Sequence, residues 1–213
     1  MKIRTITLFL LLFASCDNPV RFEVPQPEGK EDELSLPKKI IGTYKGLDGY
    51  TILTITTNDI IKTVQGDYMG LVTELDSADL AIIKRDTAFH EANASMKYKM
   101  TIKGDSVFEH IDSKDTLFSF SKKDVLRKFK GYYFLNNETG PNQWTVTKLG
   151  LTSNGILLGT VSNKEDLQNL RELTNVKSDT VYNFRPTKKQ LKLFIRDKGF
   201  QNEERFVKIE GGR

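Results

Sequence analysis

The chain is poor in the residues that carry most metal and redox chemistry. Its 213 residues include one cysteine, Cys16, and two histidines, His90 and His110. A single cysteine excludes an intramolecular disulfide framework and a cysteine-based structural zinc site. Glycine-rich phosphate loops, the Gly-x-Ser-x-Gly nucleophile elbow and the His-Glu-x-x-His zinc motif are missing as well. These absences favour a non-catalytic protein that uses no cofactor.

The remaining composition is that of an ordinary globular protein, with 38% hydrophobic and 28% charged residues. Lysine and arginine number 32 against 28 aspartate and glutamate residues. Two of the basic residues, Lys2 and Arg4, belong to an N-terminal export segment. Without them the net charge is only +2, from 30 basic and 28 acidic residues. We therefore predict no nucleic-acid partner.

The first fifteen residues have the layout of a signal peptide for export. Lys2 and Arg4 precede an apolar run from Ile6 to Phe13, and the small residues Ala14 and Ser15 follow it. The apolar run is too short to span a bilayer as a stable anchor. Residues 1–15 are thus expected to be absent from the mature protein.

The end of this segment, Phe13-Ala14-Ser15-Cys16, resembles a bacterial lipobox, with Phe13 at a position where leucine is commoner. The resemblance implies that Cys16 is acylated and becomes the first mature residue. The chain is then similar to uncharacterised, β-rich lipoproteins of the bacterial cell envelope, held to the outer membrane by lipid. Asp17-Asn18-Pro19-Val20 is a poor match to an acidic surface-export signal, so the periplasmic face is favoured. The alternative is a plain signal peptide with Cys16 unmodified.

Residues 16–37 are predicted to form the lipidated end and a flexible tether. Proline and repelling acidic charge favour an extended, unfolded chain, and about twenty residues would reach on the order of 60 Å. The segment holds four of the six prolines, Pro19, Pro25, Pro27 and Pro37, together with the acidic residues Glu28, Glu31, Asp32 and Glu33.

From residue 38 onward the pattern is mainly β, and we expect antiparallel, barrel-like sheets with one or two short helices. Tyr50–Thr56, Trp144–Leu149 and Gln190–Arg196 are predicted strands, the last because Leu191, Leu193 and Ile195 alternate with polar residues. Tyr98–Phe108 contains a Gly-Asp turn and is typical of a hairpin. A capping box at residues 162–165 predicts a helix over 163–173.

A weak internal repeat suggests two similar β-rich modules, at 38–129 and 130–213. Gly42-Thr43-Tyr44 and the strand from Tyr50 echo Gly131-Tyr132-Tyr133 and the strand from Trp144. The segment 98–108 likewise echoes 182–194. Shared hairpin-rich composition is an equally good explanation of this likeness.

Three residues are weak candidates for a ligand or metal site: His90, His110 and Asp112. Imidazole and carboxylate groups together suit a divalent metal. Their spacing does not require that they meet, so no metal is predicted and surface histidines remain the default interpretation.

Five triplets of aspartate, serine or threonine, and an apolar residue are present, whereas composition predicts roughly one. They resemble an O-glycan acceptor motif of the periplasm in one group of Gram-negative bacteria. Asp-Ser and Asp-Thr are also good turn residues before a strand, which explains the triplets equally well. The candidate acceptors are Ser77, Thr87, Ser106, Thr116 and Thr180.

The densest basic run, Arg185–Lys192, is expected to be a solvated hairpin turn, with contact to anionic lipid head groups as the minor alternative. The predicted function is a non-catalytic binding or assembly module, anchored to the membrane, with a protein or glycan partner in the envelope. The alternatives are an envelope glycan or peptide hydrolase and a lipocalin-like binder of small ligands. A deep cleft with paired carboxylates would favour the hydrolase, and a closed cavity the lipocalin-like binder.

Overall fold

The computed structural model describes residues 20–74, 89–93, 96–176 and 183–209, and it is mainly β, as the sequence predicts. The strand pairs of its long strands are antiparallel. The described strands are β1 (Arg21–Phe22), β2 (Asp32–Glu33), β3 (Gly42–Gly46), β4 (Thr51–Ile55), β5 (Asp59–Leu71), β6 (Phe89–Asn93), β7 (Met96–Lys103), β8 (Ser106–Ser119), β9 (Val125–Phe129), β10 (Tyr132–Gly140), β11 (Gln143–Leu151), β12 (Gly155–Thr160), β13 (Asn183–Phe184) and β14 (Asn202–Lys208).

Two α-helices are described, α1 (Lys164–Thr174) and α2 (Lys188–Arg196). Helix α1 confirms the predicted helix, although its N-cap is Asn163, whose side chain accepts from the Asp166 amide at 2.7 Å. Short 3₁₀ turns cover Lys38–Ile40, Val72–Glu74 and Phe120–Lys122. Within the described part of the chain, no helix has the length and apolar character needed to cross a membrane.

The chain divides into two compact units, and the division does not follow the predicted boundary at residue 130. The described residues of the smaller unit lie within 63–115, and those of the larger unit within 20–62 and 116–209. The larger unit therefore combines the beginning of the first predicted module with all of the second. Two modules of consecutive sequence are not what the structure contains.

In the larger unit, the strands follow the order β2, β9, β10, β11, β12, β14, β3, β4 and the start of β5. Leu126 in β9 and Ile60 in β5 come from opposite parts of this order, yet they belong to one buried cluster. The sheet must therefore curl to bring its two ends around a common core. Phe118 and Phe206 lie in the same cluster.

The strand β10 is buried on both faces, which explains its continuous run of apolar residues. Tyr133 and Leu135 point into the curled core, whereas Phe134 belongs to a second core on the other face. Helices α1 and α2 cover that second face with Leu170, Leu191 and Phe194, among others. The larger unit thus has a curled sheet with a helical layer on one side.

The N-terminal segment is part of the fold and not a flexible tether, so that prediction is wrong from Val20 to Leu36. Strand β1 lies between β11 and β13, with Phe22 opposite both Trp144 and Phe184. Phe22 is 1% exposed and Leu36 is 2% exposed. Proline and repelling charge favour unfolded chain when only neighbouring residues are considered. Here side chains from distant parts of the sequence form hydrogen bonds with the backbone of the segment.

The predicted strand Gln190–Arg196 is also wrong, because these residues form most of α2. Leu191 and Phe194, three residues apart, are the fully buried pair. The side chains of Thr187 and Gln190 form a reciprocal capping box at the helix start. Three apolar positions in alternation were therefore an incidental period of two inside a helix. The basic run 185–192 is correspondingly a loop and a helix start, not a hairpin turn.

In the smaller unit, the strand order is β5, β8, β7 and β6. The hairpin predicted over residues 98–108 is confirmed by the pairing of β7 with β8, in which Lys103 lies opposite Ser106. Of the proposed internal repeat, the first pair of segments does form two hairpins, β3–β4 and β10–β11. The second pair does not match, since 183–196 contains a two-residue strand and a helix.

Candidate functional site

Four of the residues singled out in the sequence, Cys16, Ser77, Thr87 and Thr180, lie outside the described residues. Lipidation of Cys16 and modification of the other three therefore stay predictions. Val20, the first described residue, follows Cys16 by four positions. The folded body consequently begins much closer to Cys16 than the tether prediction implied.

His110 is placed on an exposed face of the smaller unit, beside an acidic partner that sequence spacing did not reveal. Its Nδ1 lies 2.7 Å from Oδ1 of Asp67, and both side chains are exposed. Asp112 is exposed two positions further along β8. His90 lies in β6, in the cross-strand row of Ile111 and not in that of His110. Among the described residues, no group of three His, Cys, Asp or Glu is arranged to hold a metal ion.

Two of the candidate acceptors, Ser106 and Thr116, lie within β8 in different settings. Ser106 begins the strand directly after the Gly104-Asp105 turn, as the turn explanation of these triplets predicts. Thr116 lies inside the strand and is half-buried. The turn explanation thus accounts for the first triplet and not for the second, and glycosylation of either stays a prediction.

The same face of the smaller unit carries an exposed apolar row formed by Met69, Leu71 and Phe108. The Val72 amide donates to the Asp105 carbonyl at 2.9 Å, and Asp67 contacts His110. Both contacts agree with the same antiparallel register between the neighbouring strands β5 and β8, in which Met69 lies opposite Phe108. The three side chains are 61%, 50% and 38% exposed.

The opposite face of these strands is covered, which makes the exposure of the apolar row one-sided. Val107, next to Phe108, is 4% exposed. A Cβ added at Gly70 would lie 3.6 Å from the Val107 side chain, in ordinary contact. On the exposed face, the Lys103 ammonium lies 5.7 Å from the centre of the Phe108 ring. The row therefore combines apolar surface with one nearby cation.

A buried lysine in the larger unit was not signalled by the sequence. Lys148 Nζ donates to the Gly199 carbonyl and to Glu203 Oε1, both at 3.3 Å. Its ammonium lies 5.3 Å from the ring centre of Tyr132 and 5.6 Å from that of Phe200. Two rings and two oxygens together stabilise a charge that burial alone would disfavour.

Asp166 lies in the same region at the start of α1 and is 1% exposed. Its Oδ2 accepts from the Gln201 amide at 2.8 Å, whereas Oδ1 has no hydrogen-bond partner. Burial raises the pKa of the Asp166 carboxyl, although the Gln201 amide and Lys148 act against this rise. A Cβ at Gly159 would lie 2.7 Å from the Phe200 carbonyl oxygen, so the backbone packs closely here. This close packing favours a structural role, in which Lys148 and Asp166 hold the segment between α2 and β14.

A second polar cluster surrounds Ser119. Its Oγ donates to Asp59 Oδ1 at 2.6 Å, and its amide donates to Asp124 Oδ2 at 2.7 Å. Burial raises the pKa of the Asp124 carboxyl, while the Ser119 amide lowers it. Nucleophilic serine chemistry usually relies on an adjacent base such as histidine. The described partners of Ser119 are Asp59, Asp124 and the Ser121 amide and include no histidine, so this cluster is best explained as the cap of the 3₁₀ turn that follows.

The hydrolase and the lipocalin-like binder each predict a cavity. Two regions of the larger unit are relevant, the interior of the curled sheet and a groove along α1. The interior of the curled sheet is occupied by its own side chains, and none of the fourteen buried members of that core is more than 5% exposed. A groove of about 620 Å³ runs along α1, lined among others by Leu167, Arg171 and Glu172. Glu172 is the one carboxylate of its described lining, whereas glycoside hydrolysis uses a pair.

No family model matches the chain, and no curated protein and no solved structure matches it either.

Proposed function

We propose that the chain is a membrane-anchored lipoprotein of the bacterial cell envelope that binds or assembles with a partner protein and has no catalytic role. Acyl chains on Cys16 hold it to the outer membrane, on the periplasmic side. The smaller unit presents the partner surface. The larger unit is the stable body that carries it.

The anchoring part of this proposal is supported by the order of features at the N-terminus. A basic start, an apolar run, two small residues and Cys16 follow one another, as in a lipobox signal. Several acyl chains together anchor a protein stably, whereas one chain binds only marginally. Val20, four positions after Cys16, already belongs to the fold, so a lipid on Cys16 would act on the folded protein without a long spacer.

The observation that carries the binding part is the exposed apolar row of Met69, Leu71 and Phe108. Large apolar side chains in one exposed row lower the free energy of a complex when a partner covers them. Two of the three are aliphatic, which favours the apolar side chains of a protein over a sugar ring, since sugars stack on aromatic faces. The His110–Asp67 pair borders the row and would supply polar contacts at its rim.

The anchoring test is the intact mass of protein purified from membranes of its native host, compared with a Cys16→Ala variant. We expect a chain that starts at Cys16 with the mass of three acyl chains and glycerol added. The variant should lack this species and leave the membrane fraction. An unmodified chain that starts after Ser15 would refute the anchor. Added hexose mass on fragments containing Ser106 or Thr116 would identify these as acceptors.

The binding test places a photo-crosslinking residue at Met69 in the living host, with Leu47 as the matched control. Leu47 is 70% exposed and belongs to the larger unit, whereas the row belongs to the smaller one. We expect one defined envelope protein to be crosslinked from position 69 and not from position 47. The adduct should disappear when Phe108→Lys is added. Equal labelling from both positions, or none from position 69, would contradict the partner surface.

A further inference from the structure

Helix α2 and its flanks carry an unusual concentration of positive charge. Between residues 185 and 198, six of the fourteen residues are basic and one is acidic. Arg185 pairs with Glu28, and Arg196 pairs with the one acid, Asp197. The three lysines between them form no ion pair with any described residue.

These lysines lie on the outer side of the helix. Leu191 and Phe194 are fully buried against the sheet, and the basic side chains point away from them. We call the exposed set the basic face: Lys188, Lys189, Lys192 and Arg196. Its members are spaced by three, four, seven or eight positions, or are neighbours, so they share one side of the helix.

Helix stability does not explain this arrangement. The first turn of α2 contains no acidic residue, and two lysines occupy it. Cations at a helix N-terminus oppose the macrodipole and destabilise the helix. The capping box of Thr187 and Gln190 offsets this cost. The lysines therefore point to something outside the helix that the charge attracts.

The start of α2 lies towards the end of β1. Strands β1 and β13 run parallel, and Phe22 lies opposite Phe184. Lys188, the first residue of α2, follows only four residues after Phe184. The Glu28 contact of Arg185 also belongs to the segment that follows β1.

The end of α2 lies towards the start of β1. Phe22 is opposite Trp144 in antiparallel pairing, so residues beyond Trp144 in β11 run towards the start of β1. Lys148 is four residues further in that direction, and it donates to the carbonyl of Gly199, just after α2. The helix therefore runs back along β1, and Arg196 lies towards the start of β1.

The chain between Cys16 and Val20 is short, which limits how far a lipid on Cys16 can lie from the described fold. Val20 is four positions after Cys16, and this stretch spans at most about 14 Å of extended chain. Helix α2 has nine residues and is itself about 14 Å long. A lipid on Cys16 would consequently hold the body with this helix within reach of the bilayer surface.

We propose that the basic face of α2 lies against the anionic lipid head groups of the membrane that anchors Cys16. This inference rests on the proposed lipidation. Each lysine or arginine near an anionic surface contributes about fivefold in affinity. An acyl anchor and a cluster of basic residues together hold a protein in a defined orientation, which the anchor alone does not impose.

The test is lysine footprinting of the acylated protein in vesicles. Protein purified from the host is reconstituted into vesicles of phosphatidylcholine, or of phosphatidylcholine with phosphatidylglycerol, and treated briefly with an amine-acetylating reagent. Mass spectrometry then gives the rate of modification at each lysine. Lys38, Lys45 and Lys122 are exposed in the same unit and serve as internal controls.

We expect acetylation of Lys188, Lys189 and Lys192 to slow at least fivefold when phosphatidylglycerol is present, with no change at the control lysines. Raising the salt from about 0.1 M to about 1 M should remove the protection, because it shortens the Debye length from about 10 Å to about 3 Å. Equal rates in both vesicles would overturn the basic face as a lipid contact. Protection that persists at high salt would point to a bound protein instead, and would also overturn it.

The intact mass of the same sample separates this result from the proposed function. Triacylated protein with unprotected lysines refutes the lipid contact and leaves the anchor standing. Protein without acyl chains refutes the anchor and, with it, the lipid contact that depends on it.

Discussion

Two regions of the molecule reverse what their composition suggests. The segment from Val20 to Leu36 is rich in proline and acid, yet Phe22, Gln26 and Leu36 are buried. The apolar row of Met69, Leu71 and Phe108 has the composition of a core strand, yet it is exposed. The difference lies in the neighbours that each region meets.

The N-terminal segment is buried because distant side chains satisfy its backbone. The Asn136 side chain accepts from the Gln26 amide at 2.6 Å and donates to the Gln26 carbonyl at 2.9 Å. Arg127 donates to the carbonyls of Pro25 and Pro27. Proline lacks an N–H donor but keeps its carbonyl acceptor, and here the carbonyls of Pro25 and Pro27 anchor the segment to Arg127. Burial thus follows the supply of partners and not composition alone.

The largest expected effect contrasts two phenylalanines. Phe22→Ala should lower the free energy of unfolding of the larger unit by about 3–5 kcal/mol, since it leaves a cavity among Trp144 and Phe184. Phe108→Ala should cost about 1 kcal/mol or less, because its ring is already 38% exposed. Urea denaturation followed by tryptophan fluorescence measures the first, and circular dichroism both. A small loss of stability in Phe22→Ala would indicate that the segment is a tether and is not packed against the fold.

The next effect concerns the two hydrogen bonds between the Asn136 side chain and the Gln26 backbone, which we call the polar lock. Asn136→Ala removes the side-chain partner of a buried amide and a buried carbonyl, and should destabilise by about 2–4 kcal/mol. Asn202→Ala is the matched control, since Asn202 is exposed and donates one side-chain hydrogen bond to Thr160. We expect the control to change stability by about 0.5 kcal/mol or less. Similar losses in the two variants would show that the lock contributes little.

A pH titration tests the burial of the helical layer that covers β1. The pKa of Asp166 is raised by burial, so its protonated form is favoured in the folded state. Its contribution to stability is therefore fully present below the unfolded pKa of about 4 and is lost as pH rises through the folded pKa. Relative to Asp166→Asn, the wild type should lose stability as the pH rises from about 4 through the raised pKa of the folded state. A difference that stays constant with pH would mean that this carboxyl is not buried.

The smallest effect belongs to an exposed region that is neither packed nor apolar. Lys188→Glu should stabilise the protein by about 0.3–1 kcal/mol, because an acid at a helix N-terminus suits the macrodipole. Lys45→Glu, on the exposed side of β3, serves as the control and should be nearly neutral. Thermal unfolding at low salt measures both. A loss of stability in Lys188→Glu would indicate that the lysine has a partner within the fold.

The sequence predicts those parts of the fold that depend on residues close together in the chain. The hairpin of β7 and β8 depends on a local turn, and α1 on a local cap, so both were predictable. The prediction of a strand at 190–196 is wrong because Leu193 and Ile195, together with Leu191, give apolar residues at every second position within a helix. The division into units was missed because β14 pairs with β3, which joins the two ends of the chain. Such pairings have no local signal.

The candidate surfaces were less predictable than the fold. His110 was singled out, but its partner Asp67 lies 43 residues away and has no motif linking the two. The position of Lys148 among Tyr132 and Phe200 depends on three separate elements. The excess of positive charge in 185–192 is evident from the sequence, whereas the placement of this segment along β1 is known only from the strand register of the structure.

The pairing of β14 with β3 has a consequence for the time at which the protein acquires its structure. Contacts such as Lys208 to Ile41 and Arg185 to Glu28 join residues 167 and 157 positions apart. A chain emerging from the ribosome cannot complete this sheet until β14 is released. Contacts of long sequence separation also form slowly. The larger unit is therefore expected to complete its fold only once β14 is available, and loss of β14 should leave no partial fold of comparable stability.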